Sequence, residues 1–261
     1  MKNRKPSVVN RCYRSLIPDL AVGTWSSLLD LLFPPLCHSC RAFIPDAGEV
    51  KLCDECIDDV TPLDGPRCSC CGHPFATEGG MDHLCGRCTT DPPAFSAARS
   101  ALRFDRTTRD LIHGFKYGCK VQLRRPLGLL AAPHLDRFVA GFAPELILPV
   151  PLHVRRLRQR GFNQALLLAE LFATRWGIPL SRNNLRRTRW TEPQVNLSAA
   201  ERADNVKGAF SIANPAELAG KRILLVDDVY TTGSTVKECS RVLLHEGGAP
   251  TAVVTLARGV D

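Results

Sequence analysis

Two adjacent carboxylates, followed at short distance by a cluster of hydroxyls, are the residues of this chain best equipped for chemistry. They stand in ILLVDDVYTTGST, from Ile223 to Thr235. The aliphatic run reads as a buried strand that ends at Asp227 and Asp228. In an open parallel sheet, ligands bind at the carboxyl ends of the strands. The turn that follows, with Thr231, Thr232, Gly233, Ser234 and Thr235, opens a helix. Its free N–H groups and hydroxyls suit a phosphate, and Gly233 lets the backbone approach closely. The aspartates can accept hydrogen bonds from vicinal hydroxyls. A ribose 5-phosphate carries both features. The plainer reading of the two aspartates is a turn and helix cap; the hydroxyl-rich turn at this offset favours the ligand.

The second candidate chemistry lies in the cysteines. The chain has 12, and eight form four CxxC pairs: Cys37 with Cys40, Cys53 with Cys56, Cys68 with Cys71, and Cys85 with Cys88. Each CxxC makes a tight knuckle that points two thiolates at one ion, and two knuckles close a tetrahedral zinc site. Sequential pairing gives one site from Cys37, Cys40, Cys53 and Cys56 and another from Cys68, Cys71, Cys85 and Cys88; a cross-braced arrangement would mix the pairs. The short, Gly-, Pro- and Asp-rich stretches between them hold little core, so metal supplies folding energy. A redox role needs a βαβ context that is absent here. Cys70 reads as a spare. Cys12, Cys119 and Cys239 read as small buried hydrophobes.

The 261 residues suit one large domain or two smaller ones. No run of about 18 apolar residues is present, and the basic start has no continuous apolar core, so neither a membrane span nor a secretory signal is expected. The expected compartment is the cytosol. The net charge of +8 is concentrated in the middle: residues 101–200 carry 17 Lys/Arg against 6 Asp/Glu. That excess implies an anionic partner, whether phosphate-bearing small molecules or nucleic acid, although a solvated basic surface would look the same. Eight thiolates with two Zn²⁺ make the cysteine module acidic, which argues against it as the main nucleic-acid surface.

Stepping outward, SLLDLLFPPL reads as a short amphipathic helix stopped by Pro34 and Pro35, and TTDPPAFSAARS as a linker. ARSALRFD has strand character. RTTRDLIHGFKYG and LRRPLGLLAAPHLDRFVAGF read as helices, the second with a break at Pro133. ELILPVP is a buried strand, GFNQALLLAELFATRWG a helix ending at Gly177, RILLVDD a strand, GSTVKECSRVLLHEGG a helix and TAVVTLARG a strand. Between them, residues 188–206 read as polar and mobile, with a helical piece capped by Ser198. Strands that alternate with helices, aliphatic on both faces, indicate an α/β fold with a parallel sheet covered on two sides.

ILLVDDVYTTGST resembles the 5-phosphoribosyl-1-pyrophosphate (PRPP) motif of type I phosphoribosyltransferases. PVPLHVRRLRQRGFNQALLLAE (149–170) and the start LLFPPLCHSC resemble the ComF family. Members of that family are double-zinc-ribbon, phosphoribosyltransferase-like proteins associated with DNA uptake in natural transformation. The resemblance implies a double zinc-ribbon module over 28–92 and a type I phosphoribosyltransferase-like parallel sheet with helices on both faces over 98–261. It places Asp227 and Asp228 on the ribose hydroxyls and Thr231 to Thr235 on the 5-phosphate. Leu152 and His153 fall at the pyrophosphate loop. Arg155, Arg156, Arg158 and Arg160 could meet pyrophosphate or a nucleic-acid backbone. Arg189, Gln194 and Arg202 fall on a loop that closes over the site. It also implies Mg²⁺ with PRPP.

No acceptor is legible. Lys116 is a candidate anion contact; beside it, Phe115 and Tyr117 could stack a base, though core packing explains them as well. Two functions therefore follow: a Mg²⁺-dependent phosphoribosyltransferase, or a non-catalytic competence factor that binds single-stranded DNA and uses the pocket as a nucleotide or phosphate sensor. A zinc-bearing scaffold with a degenerate pocket is the third, plainer reading.

Overall fold

A computed structural model of the protein describes residues 34–45, 48–77, 79–118, 120–191, 199–247 and 250–260. The expected helix before Cys37 falls almost entirely outside them, as do Cys12, Cys119, Gln194 and Ser198. The chain divides into two compact units, one running to Ile57 and one from Asp58 onward.

The first unit is a small zinc-ribbon-like fold. A Leu36–Phe43 bridge, and bonds from Cys37 N to Ala42 O (2.8 Å) and from His38 N to Lys51 O (3.0 Å), shape its knuckle. A short helix, α1 (Asp54–Asp58), follows the second knuckle.

The second unit holds the second cysteine cluster together with the sheet. Its elements run α2 (Gly86–Thr90), β1 (Ala97–Arg103), α3 (Arg106–Tyr117), α4 (Arg124–Phe142), β2 (Leu146–Pro149), α5 (Val154–Arg160), α6 (Gln164–Trp176), β3 (Leu185–Arg187), α7 (Ala199–Val206), β4 (Phe210–Ile212), β5 (Ile223–Tyr230), α8 (Ser234–Val242) and β6 (Thr251–Arg258). The main sheet is fully parallel, in the order β1-β6-β5-β2. β5 and β6 are buried on both faces over Ile223–Val226 and Thr251–Arg258, as parallel strands flanked by helices must be. α4 packs on β1 and β6, and α6 on β5 and β2, while α8 meets β5 and the small antiparallel pair β3–β4.

Local chemistry sets the boundaries nearest the site. His153 Nδ1 accepts from Arg155 N (3.2 Å) to start α5, and Gly161, at φ 85°, ends it. Asn163 Oδ1 accepts from Ala165 N (3.1 Å) while its amide donates to Val150 O (3.0 Å), so one side chain starts α6 and pins it to the end of β2. Gly177, at φ 65°, closes α6 where the sequence places the stop.

Two expectations are corrected. Pro133 does not break α4. It sits on the solvent side of the helix, and buried Ala132 and Leu135 hold the helix on either side of it. β5 runs past the aspartates to Tyr230. The helical piece expected within 188–206 is α7, and the strands β3 and β4 that flank the segment are too short to leave a periodicity in the sequence.

Candidate functional site

Consecutive residues of a strand point to opposite faces, so the two aspartates do different things. Asp228 is buried, and its Oδ2 lies 2.9 Å from Lys116 Nζ on α3. The contact is an ion pair without hydrogen-bond geometry, so this buried oxygen keeps unused accepting capacity. Its Oδ1 accepts from Val229 N (2.7 Å). Asp227 is half-buried, and its Oδ1 accepts from Asp228 N (2.9 Å). Burial, and then the Asp228 carboxylate, push the Asp227 pKa up to about 7, against the opposing pull of Lys116, the Asp228 N–H and Arg187.

Beyond the strand, Gly233 adopts φ 79° and caps α8. A side chain here would collide with the Tyr230 hydroxyl, so the position demands glycine twice over. Thr232 Oγ1 and Ser234 Oγ are 2.8 Å apart, and Thr232 Oγ1 also accepts weakly from Ser234 N (3.4 Å). The turn thus sets hydroxyls beside the first amides of a nine-residue helix.

A cavity of ≈ 660 Å³ opens over these groups. Among the expected residues it gathers Asp227, Asp228, Thr231, Gly233, Ser234, Thr235, Leu152, Arg156, Arg160, Lys116, Tyr117 and Arg202. Thr232 faces the neighbouring cleft instead. Arg155 and Arg158 do not line it, because α5 is a helix and cannot turn four arginines to one side. Phe115 is core, whereas Tyr117 is 60% exposed and lies under the Arg160 guanidinium at 5.1 Å.

The sequence reading missed Arg187, at the end of β3. It lines the cavity, and its Nε is buried without a hydrogen-bond partner among the described residues. Burial and then Arg156 lower its pKa, while Cys239 and Asp227 oppose them. It missed Trp190 as well, which packs beside Arg155 and Arg156 (guanidinium to ring 5.8 and 5.6 Å) and edge-on to His153 (5.4 Å). Desolvation, then Arg155, Arg187 and Arg156 depress the His153 pKa, a sign of strongly positive surroundings. The only hint of this cluster in the sequence is an aromatic set in a basic run.

The cysteines resolve into two groups, Cys37, Cys40, Cys53 and Cys56, and Cys68, Cys71, Cys85 and Cys88, with all ligand atoms of each within 4.8 Å. The sequential pairing is the one adopted. Tetrahedral zinc with Zn–S near 2.3 Å needs sulfurs about 3.8 Å apart; Cys40 and Cys53 are 3.5 Å apart, and Cys71 and Cys85 are 3.8 Å apart. Backbone amides aim at the leading sulfur of each group: Cys53 N at Cys37 Sγ (3.5 Å), and Cys71 N and Cys85 N at Cys68 Sγ (3.4 and 3.3 Å). The donor set fits zinc. Cys70 stands outside the second group, as expected of a spare.

With this geometry in hand, comparison with known proteins is informative. The double zinc ribbon domain matches residues 28–89 and the phosphoribosyl transferase domain residues 164–259. The DNA utilization protein YhgH of Escherichia coli K12 is 35% identical over 232 residues, covering 87% of this chain and 99% of the relative. Competence protein F of Haemophilus influenzae is 34% identical, covering 85% and 96%. This chain belongs to the ComF family. Competence protein ComFC of Bacillus subtilis is a more distant relative of this ComF-family chain, 27% identical over 80% of the chain and 84% of the relative. Family membership and the two cysteine groups together support structural zinc. Among the described residues no helix is long and apolar enough to cross a membrane.

Proposed function

We propose that this ComF-family protein binds PRPP or a related ribose phosphate in the cavity above β5 and serves DNA uptake as a phosphoribosyltransferase-type protein. One observation carries the reading: both aspartates and the Gly233 turn at the start of α8 line one cavity. In this pose the 5-phosphate sits in the turn of Thr231 to Thr235, and Asp227 and Asp228 accept from the ribose hydroxyls. Arg156, Arg160, Arg187 and Lys116 offset the ligand's charge. Asp228 Oδ2, which keeps accepting capacity beside Lys116, and Arg187 Nε, which has no hydrogen-bond partner among the described residues, are atoms such a ligand would satisfy.

Mg²⁺ fits the oxygen donors that the carboxylates and a pyrophosphate would offer together, and when bound it would stabilise the leaving pyrophosphate. The chain's own residues hold the ribose still and keep its charges together as the C1–oxygen bond to pyrophosphate breaks and a bond from C1 to an acceptor forms, the acceptor's proton passing to solvent. Calorimetric titration with PRPP and Mg²⁺ tests the binding reading. The parent should bind, and the Asp227→Asn, Asp228→Asn double variant should not. Absence of binding in the parent would overturn it.

The alternative, a non-catalytic single-stranded DNA-binding factor, is favoured by one feature, the Trp190 ring among Arg155, Arg156 and His153. Aromatic rings set among guanidinium groups stack bases and neutralise backbone charge. The names of the relatives concern DNA utilization and competence. Under this reading, affinity for single strands falls steeply with salt.

A further inference from the structure

The second cysteine cluster and the phosphate-holding turn are joined by two buried side chains. Arg258 ends β6 and is only 5% exposed. Its Nη1 donates to Cys71 O at 2.7 Å, and its Nη2 lies 3.8 Å from Cys71 Sγ. The guanidinium stacks 4.2 Å from the centre of the buried Tyr230 ring, and the hydroxyl of that ring fills the space a side chain at Gly233 would need. The backbone repeats the connection: Gly259 N donates to Tyr230 O (3.1 Å) and Ala98 N to Cys70 O (2.6 Å). Tyr230 shares one hydrophobic cluster with Cys68, Cys71 and Cys88 on one side and Val236 of α8 on the other.

The charges make this more than packing. A buried guanidinium without a countercharge is costly. Four thiolates around Zn²⁺ carry a formal −2, next to Arg258. Without the metal the sulfurs protonate or repel one another, and the Cys68–Cys71 knuckle, held by Cys71 N and Cys85 N on Cys68 Sγ, loses its centre. Arg258 would then lose both its countercharge and the fixed position of Cys71 O. Its Nε already lacks a partner among the described residues, so little else holds it. The Tyr230 ring, and with it the floor of the Gly233 turn, would follow.

We propose that Arg258 is a positioning residue, through which the metal-loaded second cluster holds Tyr230 against Gly233 and so sets the affinity of the turn for a phosphomonoester. The proposal rests on the ribose-phosphate reading above. Binding linkage is reciprocal: if the loaded cluster tightens phosphate binding, bound phosphate must slow metal loss from that cluster.

The test follows zinc release from the intact protein to a chromophoric chelator, with and without saturating ribose 5-phosphate, alongside calorimetry with the same ligand. In the parent, ribose 5-phosphate should slow release of one of the two zinc ions, and only one, by roughly tenfold, the range of ordinary coupling energies. In Arg258→Met the protection should vanish and affinity for ribose 5-phosphate should fall by a similar factor. Arg258→Lys, which keeps the charge and loses the fork, should restore part of both. If the parent binds ribose 5-phosphate but neither ion is protected, the relay is wrong while the pocket reading stands. If Arg258→Met proves unstable, the ligand protection measured on the parent still decides. If the parent binds no ribose 5-phosphate, the pocket reading fails and the relay falls with it.

Discussion

Asp227→Asn is expected to make the protein more stable, and increasingly so as pH rises. The Asp227 carboxyl moves from 3.8 to about 7 on folding, through burial and then through Asp228. A group whose folded pKa is raised contributes most below its unfolded value, and that contribution is lost as pH climbs through the folded value. The parent should therefore lose stability from this group between about pH 4 and pH 7. At 1.36 kcal/mol per pH unit, a shift of about 3 units sets a ceiling of about 4 kcal/mol. Part of the shift belongs to the pair with Asp228, and Asp227 faces an open cavity. Roughly half the ceiling, about 2 kcal/mol, is the working figure.

In a unit of this size 1 kcal/mol moves Tm by about 2–4 °C, so the variant should melt roughly 4–8 °C above the parent at pH 8. At pH 5.5, about midway between the two pKa values, about half that gain should remain. Calorimetric melts of zinc-loaded parent and variant measure it, and the acid-sensitive zinc contribution cancels in the difference. A variant no more stable than the parent at pH 8, or a gain that does not change with pH, would refute the argument. Asp227 would then be an ordinary ionised carboxylate, unaffected by its burial and by the neighbouring Asp228.

Other perturbations test separate links. Gly233→Ala should abolish ribose 5-phosphate binding measured by calorimetry, because the new methyl meets Tyr230 and the φ of 79° is strained for alanine. Lys116→Met should leave Asp228 buried without its ion pair and cost about 1–3 kcal/mol in denaturant melts, below the loss for a fully buried pair because Lys116 is 20% exposed on its side chain. Cys68→Ser should remove one zinc and lower the main melting transition, whereas Cys40→Ser should remove one zinc and leave that transition in place, since Cys40 belongs to the smaller unit. Trp190→Ala should weaken single-stranded DNA binding, measured by fluorescence anisotropy, by about 1–3 kcal/mol if the ring stacks a base.

The features legible in the sequence were those whose signal is local. Cys68 and Cys71 announce a knuckle because a turn of fixed length must carry both sulfurs. Ile223 to Val226 announce a parallel strand because both faces are apolar, and Gly233 announces a tight turn because no other residue fits. What escaped has no local signal. Arg187 belongs to a three-residue strand whose partner lies more than twenty residues away, so neither period nor composition marks it. Arg258 reads as a charged residue closing a strand, and only the fold shows it buried against Cys71. The four arginines of α5 looked equivalent as a string; a helix divides them, giving Arg156 and Arg160 to the cavity and Arg155 and Arg158 to solvent.

The paired aspartates illustrate why spacing alone underdetermines chemistry. Read as a string, Asp227 and Asp228 are interchangeable acceptors. In the strand they face opposite sides, and their surroundings differ: Asp228 sits against Lys116, while Asp227, with no cation at ion-pair distance among the described residues, has its pKa raised to about 7. A ribose hydroxyl donated to Asp227 would favour its ionised form, so binding near pH 7 should release up to about half a proton from this group. Calorimetric titrations with PRPP in buffers of different ionisation heat would read that proton directly, once the ligand's own phosphate ionisation is subtracted. Loss of the proton signal in Asp227→Asn with binding retained would assign it to Asp227. An undiminished signal in that variant would place the titrating group elsewhere and remove the distinction drawn between the two carboxylates.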